Sequence, residues 1–455
     1  MIDKRRLNII LIGLVVIFSG FQLRAKPDLK NVIIISVDTL RADHLGCYGY
    51  ILNTSPAIDA LSKDGVVFSN CWALTPLTAP SFSTMLTALA PHKHGAKRNG
   101  LGIYKKIKTL PHFLKTYGYR TAAVISNWPL RKRLIRLHRG FDTYYQVFTK
   151  KRYWGIMNSE GQAPAVNRKV IEWLEKNHGK RFFLWVQYTD PHAPYILHKK
   201  FTFDYRDVEP SVYPPGTRMK KIKRYDSEIA YTDFYIGQLI EKLKRLGLYD
   251  ETLIIFNSDH GESFGEHDYF KHGRKLYNST LHVPLIIKLP NNRLKNTRRR
   301  ENVSILDIGR TVFSVLGLLQ RPQMEGVDLF SQEAFDPNRK ILLETYGGVV
   351  HLKRNSKKFH LKVKPIRYGM VSGSTKLIYN LKKKTFESYD LKDDPFETRD
   401  IFLQVPPEIA RIKKALVDKV SHVKKYIKVN RLHQFNEGSI SKEDFDRLKS
   451  LGYFE

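Results

Sequence analysis

Residues 31–38 read NVIIISVD, a run of Val and Ile broken only by Ser36 and closed by Asp38. A strand with one wet face alternates apolar and polar residues. A nearly continuous apolar run instead marks a strand covered on both faces, as in a parallel sheet flanked by helices. The signature recurs at 119–126 (YRTAAVIS), 181–188 (RFFLWVQY), 252–259 (TLIIFNSD) and 283–289 (VPLIIKL). Helix-like stretches at 55–64, 109–117, 165–177 and 227–246 lie between them. This alternation predicts an α/β fold, a doubly wound and mostly parallel sheet, over residues 28–335. From residue 336 onward the pattern changes to short strand candidates at 368–372, 376–379 and 386–390, then a helical stretch at 407–424. A small C-terminal α+β subdomain over 336–455, packed on the larger one, is expected. Connections 143–161 and 198–225 are long, basic and aromatic, and read as surface or substrate-side loops.

With 42% hydrophobic and 27% charged residues over 455 positions, the chain is neither a disordered tail, a collagen-like repeat nor a polytopic membrane protein. Two cysteines exclude a disulfide framework and a cysteine-rich zinc site. At the N-terminus, Lys4–Arg6 precede an apolar core from Ile9 to Phe18. That core is too short to span a bilayer, which takes about 20 residues. Residues 1–27 therefore read as an export signal or membrane anchor, with a buried helix of the soluble fold as the alternative. The expectation is an exported protein, periplasmic or extracellular, in which Cys47 and Cys71 are free to pair.

Ligands of open parallel sheets bind outside the carboxyl ends of the strands. Three predicted strands end there on chemically capable residues: Asp38, Asp190-Pro191-His192, and Asp259-His260. A single Asp after a strand is usually a helix cap or turn residue. Three on one rim instead suggest a site, and Asp38, Asp259 and His260 make a plausible set for a divalent cation. In PLTAPSFSTMLTALAPHKHG, a helix starting near Ser81 would place Thr78 at its N-terminus. Thr78 there is either a cap or a hydroxyl held where helix N–H groups favour an anion. Metal coordination would lower its pKa and make it a nucleophile.

The segments SVDTLRADHLGCYGY, TSPAIDALSKDGVVFSN, PLTAPS, TLPHFLKTYGYRTAAVIS, TDPHAPY, SDHGESFGEH and KLIYNL…YDLKDDPFE resemble, in family order, the sulfatase-like branch of the alkaline phosphatase superfamily. The resemblance implies that fold, a metal at the sheet edge, a metal-bound nucleophile and an anionic ester substrate. It implies Asp38, Asp259 and His260 as metal ligands and Thr78 as ligand and nucleophile. It implies His192 and His272 beside the substrate anion or leaving group, with Asn99 and His267 on the active-site side.

The departures bear on the chemistry. Sulfatases carry Cys or Ser, oxidised to formylglycine, at the position of Thr78, and an Arg where Phe82 stands. Thr39 replaces a second Asp. Ser126, Asn127 and Trp128 occupy the place of sulfate-binding Lys and His residues. The metal set looks like that of the threonine-type members: nucleotide phosphodiesterases, lipid A phosphoethanolamine transferases and lipoteichoic acid synthases. The expectation is an exported metal-dependent hydrolase of sulfate or phosphate esters, with phosphoryl transfer favoured and no formylglycine. One divalent ion is expected, zinc or manganese before calcium, with a second ion at His192 and His272 as an open alternative. The rival readings are a transferase of phospho-headgroups to an envelope lipid or glycan, and a binding protein that has lost activity.

A surplus of 77 basic over 44 acidic residues leaves a net charge of +33. No nucleic-acid recognition motif accompanies it. The runs at 131–152 and 218–224 are expected to flank the active-site rim, steering an anionic ester (glycan, lipid or small molecule) or docking on an anionic membrane surface.

Overall fold

The computed structural model describes residues 30–148, 152–153, 156–157, 161–352, 358–404, 407–430, 432 and 437–450. The apolar N-terminal stretch lies outside them. No helix among the described residues is long and apolar enough to cross a membrane.

The main sheet comprises β1 (Asn31–Val37), β2 (Val66–Trp72), β3 (Arg120–Ile125), β4 (Thr143–Gln146), β5 (Phe182–Tyr188), β6 (Thr252–Ser258), β7 (His282–Val283), β8 (Leu285–Lys288) and β9 (Thr297–Ser304). Its spatial order is β7-β2-β8-β6-β1-β5-β3-β4, with β9 beside β2. Burial on both faces accounts for the continuous apolar runs. Val32 and Ile34 join one core with Phe183, Trp185, Leu253 and Ile255. Ile33 and Ile35 join the opposite core with Leu184, Ile254 and Phe256. Helices α1 (Pro56–Lys63), α2 (Thr78–Thr87), α3 (Ala163–Asn177) and α4 (Met219–Arg245) cover the faces.

Three expectations need correction. The run at 283–289 is not a parallel strand: β8 pairs antiparallel with both β6 and β2. Residues 259–281 hold short turns of helix and the small antiparallel pairing of Ser263–Phe264 with Phe270–Lys271, not the long crossover that a parallel neighbour requires. Second, α4 begins at Met219, so the basic run at 218–224 is the start of a helix and not a loop. Lys and Arg are good helix formers, and Ile222 and Tyr225, one turn apart, are both buried. Third, Cys47 and Cys71 are free thiols.

The C-terminal part is an antiparallel sheet of β10 (Lys340–Leu352), β11 (Lys358–Ser372), β12 (Thr375–Asn380) and β13 (Thr385–Asp390), with β14 (Glu437–Ser441) on β11. Helix α5 (Pro407–Val429) lays Ile409, Ile412, Leu416, Val420 and Val423 against Tyr368, Met370 and Leu377 of that sheet. Strand β10 also reaches the main domain. Glu344 N–H donates to the Leu74 carbonyl at 2.8 Å, and the Thr345 hydroxyl donates to the Gly273 carbonyl at 2.8 Å.

Candidate active site

Strands β1, β5 and β6 end in register, with Val37 opposite both Tyr188 and Ser258. The next residue of β1 and of β6 is a carboxylate, so Asp38 and Asp259 emerge side by side. One ligand atom each from Asp38, Asp259 and His260 lies within 4.8 Å of the others, and all three residues are fully buried. Asp259 Oδ2 has no hydrogen-bond partner among the described residues and faces His260 Nε2 at 3.3 Å. A carbonyl only accepts, so the 2.9 Å bond from His260 Nδ1 to the Gly261 carbonyl places the proton on Nδ1. Nε2 is then left as a lone pair, 3.3 Å from Thr78 Oγ1. Burial pushes the His260 imidazole down to about 4, keeping it neutral, and raises the Asp259 carboxyl. Two crowded carboxylates, a neutral imidazole and a hydroxyl form a donor set that fits a divalent cation.

The turn after β1 shows how Thr39 replaces an acid. At φ 56° its N–H donates to Asp259 Oδ1 at 3.2 Å, and its hydroxyl donates to the Asp38 carbonyl at 2.7 Å. Thr39 therefore braces the Asp259 carboxylate through its N–H, while its hydroxyl is spent on the Asp38 backbone carbonyl. Asn127 Nδ2 donates to Asp38 Oδ2 from the far end of β3.

Thr78 is the first residue of α2, three positions earlier than the sequence suggests, and Leu77 is the N-cap. Asn99 Oδ1 accepts the Ala79 N–H at 2.8 Å, so the helix end is capped from a distant loop. Phe82 packs in the core against Trp185 at 5.2 Å between ring centroids.

His272 lies 4.4 Å from the His260 ring and 5.4 Å from His192, centroid to centroid. Its Nδ1 donates to Glu262 Oε1 at 3.1 Å, while the Tyr195 hydroxyl donates to Glu262 Oε2 at 2.8 Å. His192 Nδ1 donates to the Ala193 carbonyl at 2.8 Å. Thus Asp38, Thr78, His192, Asp259, His260 and His272 converge, with Asn99 behind the start of α2. His267 does not join them. It stacks on Tyr277 at 3.8 Å and donates from Nε2 to the Phe396 carbonyl at 3.1 Å, facing the C-terminal subdomain. Sequence reasoning overlooks Glu262 and Asn127. Glu262 lies within the SDHGES segment, two residues after His260. Asn127 stands out in the sequence only where a cation is missing.

Residues 30–318 match the family model described as Sulfatase, and residues 265–426 match the one described as N-sulphoglucosamine sulphohydrolase, C-terminal. An N-acetylglucosamine-6-O-sulfatase of Bacteroides thetaiotaomicron is 22% identical over 88% of this chain and 87% of its own. Arylsulfatase K of Bos taurus is 24% identical over 94% and 87%. Among solved structures, a protein in complex with its substrate D-glucosamine-2-N,6-O-disulfate superposes with a TM-score of 0.68 at 21% identity, covering 89% of this chain and 99% of that one. The phosphonate monoester hydrolase of Agrobacterium radiobacter superposes at 0.66 and 18% identity, covering 91% and 99%.

Proposed function

Because the chain belongs to the sulfatase family of hydrolases, on an alkaline phosphatase-like fold, we propose that it cleaves anionic esters with Thr78 as nucleophile, phosphate esters in preference to sulfate. The observation that carries this reading is the place of Thr78: buried at the first turn of α2, with its hydroxyl 3.3 Å from His260 Nε2 in the Asp38–Asp259–His260 cluster.

Asp38, Asp259, His260 and Thr78 would hold the cation, and nitrogen in the set favours zinc or manganese over calcium. Once bound, such an ion supplies the positive charge that makes a hydroxyl acidic and offsets charge on the transferring group. Thr78 releases its proton to solvent and its Oγ attacks phosphorus; the Oγ–P bond forms as the bond to the leaving oxygen breaks. Burial lowers the His272 imidazole and the Glu262 carboxylate opposes that shift; in its protonated form, oriented by Glu262, His272 gives its proton to that oxygen. Water then attacks the phosphothreonine, passing one proton to His272. The Oγ–P bond breaks, and Thr78 recovers a proton from solvent. His192, whose ring lies 5.4 Å from that of His272, contacts the anion.

Formylglycine releases sulfate by collapsing to its aldehyde, a route that an unmodified threonine ester lacks. Phosphothreonine opens instead by a second in-line attack at phosphorus. This chemistry favours phosphoryl transfer and an active centre without formylglycine. The sulfatase names of the relatives make sulfate esters the arm against which it must be tested.

The test is a panel of nitrophenyl phosphate, phosphodiester, phosphonate and sulfate esters, run on wild type and Thr78→Ala after loading with zinc, manganese or calcium. Phosphate-type esters should turn over fastest with zinc or manganese. Thr78→Ala should lose about 10³-fold or more in kcat, and mass spectrometry of quenched wild type should find phosphate on Thr78. Faster sulfate turnover, or full activity in Thr78→Ala, overturns the proposal.

A further inference from the structure

Two cations lie over one aromatic ring beside His272, and a third follows that ring in the chain. The Arg218 guanidinium lies 4.1 Å from the Phe270 ring centroid and Lys221 Nζ lies 4.9 Å from it, while Lys271 is the residue between Phe270 and His272. Two elements build this cluster. The Arg218 N–H donates to the Phe264 carbonyl at 2.9 Å, tying the start of α4 to the short pairing of Ser263–Phe264 with Phe270–Lys271. Lys271 turns the chain at φ 70°, so that the histidine after it meets Glu262.

Arg218 and Lys271 are exposed and Lys221 is half-buried. None of the three forms an ion pair among the described residues, where other basic side chains such as Arg41, Arg133 and Arg339 do. The nearby carboxylate is Glu262, and both its oxygens are engaged by His272 and Tyr195. Burial first, and then the charges of Arg218 and Lys271, push the Lys221 amine down, with Glu262 acting the other way. Like charges held together on an aromatic ring without a dedicated counter-ion make a concentrated positive field at the edge of the reacting site.

We infer that Arg218, Lys221 and Lys271 form a second anion subsite. The substrate then carries a further anionic group in addition to the ester that is cleaved, and Phe270 offers an apolar platform for the scaffold between them. This rests on the proposed ester chemistry at Thr78 and His272, and it narrows the substrate from any anionic ester to a multiply charged one. A sulfated and a phosphorylated scaffold share this chemistry.

Two substrate pairs test it: glucose 1,6-bisphosphate against glucose 6-phosphate, and glucose 3,6-disulfate against glucose 6-sulfate, with released anion measured in potassium chloride. In the triple variant Arg218→Gln, Lys221→Gln, Lys271→Gln, KM for the doubly charged compound should rise about tenfold. KM for the singly charged partner should stay unchanged. Lys271→Gln alone should give a smaller shift in the same direction. A control variant, Lys223→Gln with Arg224→Gln, removes charge from the same basic run, where Lys223 lies over Tyr205 at 5.0 Å. It should leave both substrates unchanged. Equal losses on singly and doubly charged compounds, or the same effect from the control, overturn the subsite and leave only general attraction. If no ester is turned over, calorimetry of tripolyphosphate and of a heparin tetrasaccharide with the Thr78→Ala protein separates the two ideas. Binding weakened only by the triple variant keeps the subsite while the ester reading falls, and absent or unaffected binding sinks the subsite too.

Discussion

Glu262 is fully buried two residues after His260, and both its oxygens are occupied. A carboxylate receiving the Nδ1 proton of His272 fixes the ring, and in the proposed reaction Nε2 is the nitrogen that serves the leaving oxygen. Glu262→Gln keeps the shape and one acceptor but removes the charge that supports a protonated ring. Its kcat should fall about 10–100-fold on alkyl phosphates, and clearly less on dinitrophenyl phosphate, whose leaving group needs no proton. Equal losses on both would assign Glu262 a purely structural role. The residues legible in the sequence, Asp38, Asp259 and His260, are those at the ends of apolar strands, where topology alone brings them to one edge. Glu262 and Asn127 act through side-chain contacts made only after the 259–281 loop and the end of β3 have folded. No local pattern announces such contacts.

Helix α2 shows the same division at the scale of an element. Its existence is legible from the apolar run after Pro80, but its first residue is not. The local Leu77 caps no N–H with its side chain, and the acceptor comes from Asn99 on another loop. Asn99 therefore does two separable things. Its Oδ1 accepts the Ala79 N–H, while its buried Nδ2 has no partner among the described residues. Asn99→Ala removes the cap and should cost about 1 kcal/mol of stability, read as a lower midpoint in denaturant. Asn99→Asp retains an acceptor for Ala79 but replaces the donor with negative charge. If Nδ2 serves the substrate anion, Asn99→Asp should keep most of the wild-type midpoint yet raise KM sharply. A variant that melts like Asn99→Ala while keeping its KM would make Asn99 a cap alone. Strand β11 is the opposite case: its end at 368–372 is read as a strand, while the pattern of its first part is present but hidden. Leu361 and Val363 are buried while Lys362 and Lys364 are exposed, the two-residue alternation of a strand. In the sequence the stretch stands out only as one more basic run, and the lysines mask the period.

For the molecule as a whole, the doubly wound architecture is legible because Val- and Ile-rich runs of strand length fit little besides a sheet covered on both faces. The edges are not. Strand β9 reads TRRRENVS because all but its last two residues are partly buried or exposed at the sheet margin, so its composition resembles a solvated run. The chain as a whole carries a net charge of +33, and that charge has a consequence for stability. Repulsion among like charges opposes the compact state, and its reach falls from about 30 Å at 0.01 M salt to about 8 Å at 0.15 M. The ion pairs Arg41–Glu266 and Lys376–Glu397 are buried, so salt weakens them little. Exposed pairs such as Lys414–Asp418 add little at any ionic strength. Screening should therefore relieve more repulsion than attraction. The melting temperature should rise by about 2 °C or more between 10 and 300 mM potassium chloride. Chloride is the appropriate anion, since sulfate or phosphate would bind the site and stabilise by mass action. The Arg218, Lys221 and Lys271 triple variant should show a smaller rise, having lost three of the uncompensated charges. A melting temperature that falls with salt would mean that surface ion pairs, and not net repulsion, dominate the electrostatics of the fold.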